Sequence, residues 1–368
     1  MSSAPFDTPW GQYRLASPMP GIQAWSQADA YLLREFGNRF TENEPVATVN
    51  DAYGALSLAL TNWPLEIFND SAVFCHHLAE HRNNLMPSVH SIEALRSAKS
   101  RVFLLRLPKN LHFFQYQLSQ LSGLKKATVL VAGMQKHWPA AFFQAGDAFF
   151  DDMQVLPGVK KAKCMILQNG KTHAAVEKTR HLQLDEFGLT LCNEPNVFSR
   201  EQLDIGSRFF LHNMPDLNQD KCILDMACGN GVLGIYALKR FTGIEQALFV
   251  DESGYAISSC RASLQSNHIA PERYRLYHNN VLHNLPLHDV DTVLCNPPFH
   301  QQHIVSDRIA ANMIRHSQRC LRPGGRLLLI GNRHLPYHAM LKRQFGAVSR
   351  IADNPKFTIY QAVKSLQE

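Results

Sequence analysis

The sequence predicts an α/β fold built from two α/β units in tandem, each around a mainly parallel sheet. Three observations support this prediction. Short apolar strands alternate with segments of helical periodicity in both halves of the chain. The length of 368 residues is more than twice that of a typical domain of about 150 residues. Phrases of the first half recur in the second half in the same order.

The second half contains the clearest succession of strands, turns and helices. We predict strands at 222–224, 247–250, 292–295 and 326–330, and helices at 233–240, 256–267 and 309–320. Pro323 and the two glycines after it are expected to end the last helix before the chain resumes as a strand. Alternating polar and apolar residues at 181–192 predict a β-hairpin that leads into this half.

The first half resembles a diverged copy of the second. The matching segments are 49–60 with 224–238, 68–71 with 250–253, 127–133 with 325–331, and 163–166 with 356–359. We infer that one α/β unit was duplicated. Turn-forming residues near 170–180 predict a boundary between a domain at 1–175 and a domain at 176–368.

The composition indicates a globular protein, since hydrophobic residues make up 45% and charged residues 18%. No apolar run approaches the roughly 18 residues of a membrane helix, and the first twenty residues do not resemble a secretory signal. We therefore expect a cytoplasmic protein with no membrane partner. Eight cysteines show no zinc-binding spacing, so reduced, mostly buried thiols and no metal are expected.

The net charge of +6 is concentrated in two basic blocks. Residues 101–136 contain six basic and no acidic residues, and residues 301–350 contain nine basic residues and one acidic residue. Such blocks can bind a polyanion such as a nucleic acid. They can equally form solvated helix faces, and composition alone does not decide between the two.

A glycine-rich loop is the first candidate binding site. The segment Gly229-Asn-Gly231-Val-Leu-Gly234 follows a predicted strand and opens a predicted helix. Glycines let the backbone turn tightly and approach a cofactor. Asp251 ends the next strand, where a carboxylate can accept hydrogen bonds from ribose hydroxyls. These features alone fit a nicotinamide dehydrogenase as well as a methyltransferase.

Three further features favour S-adenosylmethionine (SAM) as the cofactor. Asp225 precedes the glycines, and an acid there suits a cofactor that carries an ammonium group rather than a pyrophosphate. Asn280 lies between the predicted helix at 256–267 and the predicted strand at 292–295, where its amide can contact an adenine edge. The segment Asn296-Pro-Pro-Phe299 comes directly after the strand at 292–295 and is the most specific of the three.

The Asn-Pro-Pro-Phe segment suits methylation of an exocyclic amine. The lone pair of such a nitrogen is delocalised into the ring, which makes it a poor nucleophile. The Asn296 side-chain oxygen and the Pro297 carbonyl can each accept one N–H, which favours a pyramidal nitrogen and stabilises its developing positive charge. Pro297 and Pro298 restrict the backbone, and Phe299 can stack on the target ring.

Several other chemistries remain open at this point. The same segment serves adenine N6 and protein glutamine methylation. Cys295 precedes Asn296 and could act as the thiolate of a cytosine-C5 methyltransferase, although an apolar strand favours a buried thiol. A non-catalytic RNA-binding assembly protein with a vestigial fold is a further alternative. A nicotinamide enzyme is disfavoured, since Asn-Pro-Pro-Phe has no function in hydride transfer.

The motifs together resemble the bacterial ribosomal RNA guanine-N2 methyltransferases. The resemblance extends over nearly the whole chain and includes 196–210, the glycine loop, 250–253, 294–303 and 332–335. It implies two tandem Rossmann-like class I methyltransferase domains and SAM-dependent methylation of guanine N2 in 23S rRNA. The expected cofactor contacts are Asp225, Ala227, Gly229, Gly231, Asp251 and Asn280, and the expected methyl-transfer residues are Asn296, Pro297, Pro298 and Phe299.

The resemblance also implies that the first domain is degenerate. Its counterpart of Asn-Pro-Pro-Phe is Arg106-Leu-Pro-Lys109, and its loop retains one glycine, Gly54. We expect it to recognise RNA or to act as a scaffold, with free 23S rRNA or large-subunit assembly intermediates as partners. The candidate RNA-binding residues are Arg101, Arg106, Lys109, Lys125 and Lys126, together with Arg315 and Arg319 in the second domain.

Overall fold

The structure is a computed structural model that describes residues 3–17, 22–41, 43–80, 87–172, 175–298 and 303–366, with the backbone alone at 3, 4 and 303–306. The chain divides into two compact units, Met1–Lys178 and Thr179–Glu368. Both contain helices and strands in alternation, which confirms the α/β prediction. None of the helices in the described ranges is long and apolar enough to cross a membrane.

The elements of the first unit follow the succession that its apolar pattern predicts. Its helices are α1 (Gln27–Arg39), α2 (Ala55–Ala59), α3 (Ala72–Glu80), α4 (Leu111–Ser122) and α5 (Ala140–Phe149). Its strands are β1 (Ser3–Thr8), β2 (Gly11–Ala16), β3 (Val46–Val49), β4 (Leu65–Phe68), β5 (Val89–His90), β6 (Val102–Arg106), β7 (Thr128–Met134), β8 (Phe150–Val155) and β9 (Ala162–Gly170).

The second unit repeats the same succession. Its helices are α6 (Ile205–His212), α7 (Val232–Arg240), α8 (Gly254–Ser266), α9 (His303–Cys320) and α10 (Tyr337–Phe345). Its strands are β10 (Arg180–Leu184), β11 (Leu189–Asn193), β12 (Cys222–Met226), β13 (Gln246–Asp251), β14 (Tyr274–His278), β15 (Val290–Cys295), β16 (Leu321–Asn332), β17 (Ala347–Asp353) and β18 (Phe357–Val363). The predicted hairpin is confirmed as β10 and β11.

The two sheets have identical topology. Within the described ranges each sheet has seven strands, in the order β5-β4-β3-β6-β7-β9-β8 in the first unit and β14-β13-β12-β15-β16-β18-β17 in the second. The first five strands of each order run parallel, and the last two add antiparallel pairings. Strands β3 and β15 are buried along their whole length, as expected for parallel strands covered on both faces.

The strand register defines which residues of the two units correspond. Met226 faces Cys295 across the second sheet, and Val49 faces Leu105 across the first. The sequence-based match of 49–60 with 224–238 is therefore wrong by two residues, because it aligned Val49 with Leu224. The backbone supports the corrected register. Its equivalent pairs of positive φ are Asn50 (58°) with Ala227 (58°) and Gly54 (89°) with Gly231 (82°).

The prediction that Pro323 separates a helix from the next strand is wrong in detail. Helix α9 already ends at Cys320, and β16 begins at Leu321. The pairing with β15 shifts register between Val290 and Thr292, so the proline lies in a bulge where its missing N–H costs no ladder hydrogen bond. Gly324 donates its N–H to the carbonyl of Lys364 at 2.9 Å, which holds the bulge against the end of the chain.

Candidate active site

The candidate site lies where four neighbouring strands of the second sheet end. Strands β14, β13, β12 and β15 are adjacent and parallel, so the residues that follow them meet at one edge of the sheet. Ligands of open α/β sheets bind at this edge, outside the carboxyl ends of the strands. The candidate residues at these four ends are Asn280, Asp251, Asp225 with the glycine loop, and Asn296.

The glycine loop joins β12 to α7 in a conformation that only glycine adopts without strain. Gly229 has a φ of 55° and Gly231 a φ of 82°. A Cβ at Gly231 would lie 2.5 Å from Cys260 Sγ, so this position is closed by packing. A Cβ at Gly229 would meet no atom of the described residues within 4 Å, so this position borders open space. The loop therefore has one closed side and one open side, on which a ligand can approach the backbone.

Ala227 differs from the glycines, since its φ of 58° lies in the left-handed region and it carries a side chain. This conformation costs a residue other than glycine about 1–2 kcal/mol. Its counterpart in the first unit, Asn50, has the same φ, so the strain belongs to the shared backbone of the two units.

The carboxylate of Asp251 holds the glycine loop to the end of β13. Its Oδ2 accepts the N–H of Gly229 at 2.9 Å, and its Oδ1 accepts the N–H of Ser253 at 3.0 Å. Burial raises the pKa of Asp251, and these N–H donors oppose that rise. Each carboxylate oxygen can accept a second hydrogen bond, so Asp251 retains capacity for hydroxyl donors of a ligand.

Asp225 lies deeper than the sequence suggested. It is 1% exposed, and its Oδ2 accepts the N–H of Gly234 in the first turn of α7 at 2.9 Å. Burial raises the pKa of its carboxyl from 3.8 to about 8, and the nearby Asp251 adds to the rise. The hydrogen bond that the structure shows anchors α7, whereas the sequence suggested a contact with an ammonium group.

This raised pKa leads to a pH-dependent stability. The folded state holds the proton of Asp225 more tightly than the unfolded state does. Protonation of Asp225 therefore contributes its full amount to the free energy of unfolding below pH about 4, and this contribution is lost as the pH rises towards about 8. We expect Asp225→Asn, whose amide oxygen can still accept the Gly234 N–H, to reduce the slope of unfolding free energy against pH by up to about 1.4 kcal/mol per unit. Urea unfolding at several pH values measures both proteins, and parallel slopes would contradict the expectation.

Asn296 follows β15 and has its side-chain amide fixed on one side. Its Nδ2 donates to Ser207 Oγ at 3.0 Å and lies 3.4 Å from Asp204 Oδ2, both at the beginning of α6. Its Oδ1 is inaccessible to solvent and has no hydrogen-bond partner among the described residues. A buried acceptor without a donor is costly, which makes this oxygen a candidate acceptor for a ligand N–H. Phe299 lies outside the described residues.

The other candidates near this edge are less constrained. Pro297 is buried and Pro298 is exposed. Asn280 is half-buried, and its carbonyl accepts the N–H of His283 at 3.0 Å. The adjacent Asn279 is the more buried of the two asparagines, and its N–H donates to the carbonyl of Asp251 at 2.9 Å. Asn279 therefore joins the ends of β13 and β14, a function that the sequence did not indicate.

Asp204 and Ser207 are functional candidates that sequence reasoning missed. The order Asp-Ile-Gly-Ser is a typical helix start, and Asp204 indeed caps α6 by accepting the N–H of Ser207 at 2.9 Å. That signal could have located the helix. It could not have indicated a contact with Asn296, which lies 92 residues further along the chain.

Cys295 is a poor candidate for a nucleophile. It is fully buried in β15, and burial raises the pKa of its thiol well above the ordinary value. A cytosine-C5 mechanism needs a thiolate, so the structure disfavours it. In the part of the chain that the structure describes, no group of three or more His, Cys, Asp or Glu is placed to hold a metal ion.

The candidate RNA-binding residues of the first unit lie at two opposite edges of its sheet. Arg101 precedes β6, and Lys125 and Lys126 precede β7, so these three exposed residues lie at the amino ends of the strands. Arg106 and Lys109 lie at the carboxyl end of β6. They therefore do not form one cluster with the other three.

Arg106 is also engaged within its own unit. Its guanidinium lies 3.4 Å from the carboxylate of the fully buried Asp29 and donates to Ser26 Oγ at 3.3 Å. Lys109 is exposed beside it. In the second unit, Arg315 and Arg319 are exposed on α9 and line a cavity together with His283 and His316.

Family models match both parts of the chain. The RLMG N-terminal domain matches residues 6–174, and the methyltransferase small domain matches residues 188–361. A solved structure of similar fold is the T. thermophilus 16S rRNA N2 G1207 methyltransferase (RsmC) in complex with AdoMet and guanosine. It has a TM-score of 0.78 and 19% identity, and the match covers 99% of this chain and 98% of that one. This likeness supports the two-unit methyltransferase fold.

Curated relatives match nearly the full length. The ribosomal RNA large subunit methyltransferase G of Pseudoalteromonas translucida is 34% identical over 94% of this chain and 92% of its own. That of Photobacterium profundum is 35% identical over 93% of this chain and 94% of its own. These matches confirm the resemblance stated from the motifs. The chain belongs to the ribosomal RNA large subunit methyltransferase G family.

Proposed function

We propose that the second unit transfers a methyl group from SAM to the exocyclic N2 of one guanine in 23S rRNA. The observation that carries this proposal is the buried Oδ1 of Asn296, which has no partner in the described part of the chain and lies where the family resemblance places the target amine. Family membership supports the ribosomal RNA substrate and the methyltransferase activity.

The residues at the sheet edge fit SAM. The open side of the glycine loop at Gly229 leaves room for a ligand against the backbone. Asp251 retains acceptor capacity for ribose hydroxyls, and the half-buried Asn280 provides an amide for the adenine edge. When bound, SAM supplies an electrophilic methyl group on a sulfonium. We assign to Asp225 the task of holding α7 and the loop in place, since Gly234 is its hydrogen-bond donor.

The protein residues activate the guanine by accepting hydrogen bonds from the two N–H groups of its amine. Asn296 Oδ1 and the Pro297 carbonyl each accept one N–H, which favours a pyramidal nitrogen whose lone pair is less delocalised into the ring. The same oxygens stabilise the positive charge that develops on nitrogen as the new bond forms. No covalent nucleophile is needed, and the proton leaves to water because the methylated amine is acidic. Cys295 has no part in this scheme, in agreement with its burial.

We further propose that RNA phosphates contact exposed basic residues of both units. Arg315 and Arg319 serve on α9, and Arg101, Lys125 and Lys126 at the amino edge of the first sheet. The first unit does not carry out catalysis, because Arg106 occupies the position of Asn296 and a guanidinium has no acceptor. Phosphate contacts of this kind predict an affinity for RNA that falls steeply with salt.

Incubation of the purified protein with labelled SAM tests the proposal. The substrates are protein-free 23S rRNA, 16S rRNA, double-stranded DNA and a release factor with a glutamine acceptor. We expect label in 23S rRNA alone, and nucleoside mass spectrometry should identify it as N2-methylguanosine. The same nucleoside should disappear from one 23S position in cells that lack the protein. Label in DNA or in the release factor would replace the proposal by the adenine or glutamine alternative.

A further inference from the structure

The side-chain amide of Asn296 must be held in one of two orientations if its oxygen is to accept the target N–H. The terminal torsion of an asparagine has two broad preferences that exchange the oxygen and the nitrogen of the amide. Only one of them presents an acceptor to the target amine. The other presents an NH₂ group, which would oppose the N–H groups of that amine.

The beginning of α6 provides the means to select one orientation. Ser207 Oγ lies 3.0 Å from Asn296 Nδ2, and Asp204 Oδ2 lies 3.4 Å from it. A carboxylate accepts hydrogen bonds and cannot donate them, so the amide nitrogen is favoured on this side. Both residues are well placed to act, since Ser207 is buried and Asp204 is itself fixed by capping α6.

The first unit contains the same arrangement in a changed form. Helix α1 begins with Ser26 as its cap and Asp29 three residues later, the reverse of Asp204 and Ser207. Arg106, at the position of Asn296, contacts both Ser26 and Asp29. In both units, therefore, the start of a helix contacts the residue at the carboxyl end of the equivalent strand, β6 or β15. The acceptor oxygen is present only in the second unit.

We propose that Asp204 and Ser207 are positioning residues, which hold the amide NH₂ of Asn296 so that its oxygen faces the target amine. This inference rests on the proposed function. The hydrogen bonds to Nδ2 also polarise the amide and make its oxygen a stronger acceptor. The carboxylate of Asp204 lies behind the amide, where its negative charge favours positive charge that develops on the far side.

Ser207→Ala in the full-length protein tests the proposal. It removes the hydroxyl but leaves the backbone N–H that Asp204 Oδ2 accepts, so the cap of α6 is preserved. We expect the single-turnover rate with saturating SAM and 23S rRNA to fall about tenfold, as for the loss of one buried hydrogen bond. The KM for RNA and the dissociation constant of SAM should stay unchanged, and the melting temperature should fall by only a few degrees. Ser207→Thr, which retains the hydroxyl, should keep a rate close to that of the wild type.

The duplicated unit offers a matched control. Ser26→Ala removes the hydroxyl that Arg106 contacts at the start of α1. Because this hydroxyl also caps the helix, the change should lower the melting temperature without changing the rate. The swapped variant Asp204→Ser/Ser207→Asp reproduces the arrangement of the first unit and should retain most of the activity, since both acceptors are still present.

The outcomes separate this inference from the proposed function. A wild-type rate in Ser207→Ala, together with loss of activity in Asn296→Ala, would overturn the positioning role alone. The positioning role would also be overturned if the rate of Ser207→Ala fell only as far as its lower melting temperature explains. It would be overturned too if Ser207→Thr were as slow as Ser207→Ala. Wild-type rates in both Ser207→Ala and Asn296→Ala would overturn the proposed function as well.

Discussion

Asn296→Ala is expected to lower the rate of methyl transfer to 23S rRNA by about 100- to 1000-fold, the range found when one preorganised polar contact to a transition state is removed. The reason is that Oδ1 is buried and has no hydrogen-bond partner among the residues that the structure describes, so it is the candidate acceptor for the target amine. The affinity for SAM should remain nearly unchanged, because the glycine loop and Asp251 belong to other strand ends. Single-turnover kinetics measure the rate, and isothermal calorimetry measures the affinity.

The adjacent Cys295 provides the control for this prediction. Cys295→Ala changes a fully buried neighbour in the same strand. It should lower stability modestly and leave the rate within a few-fold of the wild type. Loss of activity in Cys295→Ala would favour a thiolate mechanism. A loss of SAM affinity in Asn296→Ala that matches its loss of rate would place Asn296 in the cofactor site.

Gly231→Ala is expected to lower both the unfolding free energy and the affinity for SAM. Its φ of 82° is strained for alanine, which costs about 1–2 kcal/mol. Its Cβ would lie 2.5 Å from Cys260 Sγ, and overpacking of this kind costs about 1–3 kcal/mol more. If the loop shifts to relieve the overlap, we expect SAM affinity to fall at least about 30-fold. Urea unfolding and calorimetry measure the two effects.

Two further variants separate strain from overlap. Gly188, in the β10–β11 connection, has a φ of 62° and no atom within 4 Å of an added Cβ, so Gly188→Ala carries the strain alone. It should cost about 1–2 kcal/mol and leave SAM affinity unchanged. Cys260→Ala removes the overlapping sulfur, and the double variant with Gly231→Ala should recover part of the lost affinity. Equal losses in Gly188→Ala and Gly231→Ala would show that overlap contributes nothing.

The fold was largely predictable because its signals are local. The apolar runs of the strands and the glycines of the loop predicted the bounds of β12, β13, β15 and α7 to within two residues at either end. The start of α9 was missed by six residues, because His303–Arg308 carries little apolar periodicity. The bulge at Pro323 was missed because it depends on a pairing with Lys364, near the end of the chain.

The candidate site was predictable as a set of strand ends but not as a set of contacts. Asp225 is an example. An acid beside a glycine loop suggests a contact with a ligand, and only the structure shows that its carboxyl accepts a hydrogen bond from the Gly234 N–H. Basic residues close in sequence were also misleading. Arg101 and Arg106 lie at opposite ends of β6. A strand of five residues is about 16 Å long, so the two side chains are far apart.

The placement of the last strand has a consequence for biosynthesis. In each sheet the final strand to be made, β9 or β18, lies between two strands made earlier. Neither sheet can therefore be completed before its last strand has been translated. The first unit is complete at Lys178 and can mature on the ribosome while the second is still being made, as amino-terminal domains generally do. In the half that holds the candidate active site, β17 can join the rest of the sheet only after β18, which ends at Val363, has been made, because β18 lies between β16 and β17.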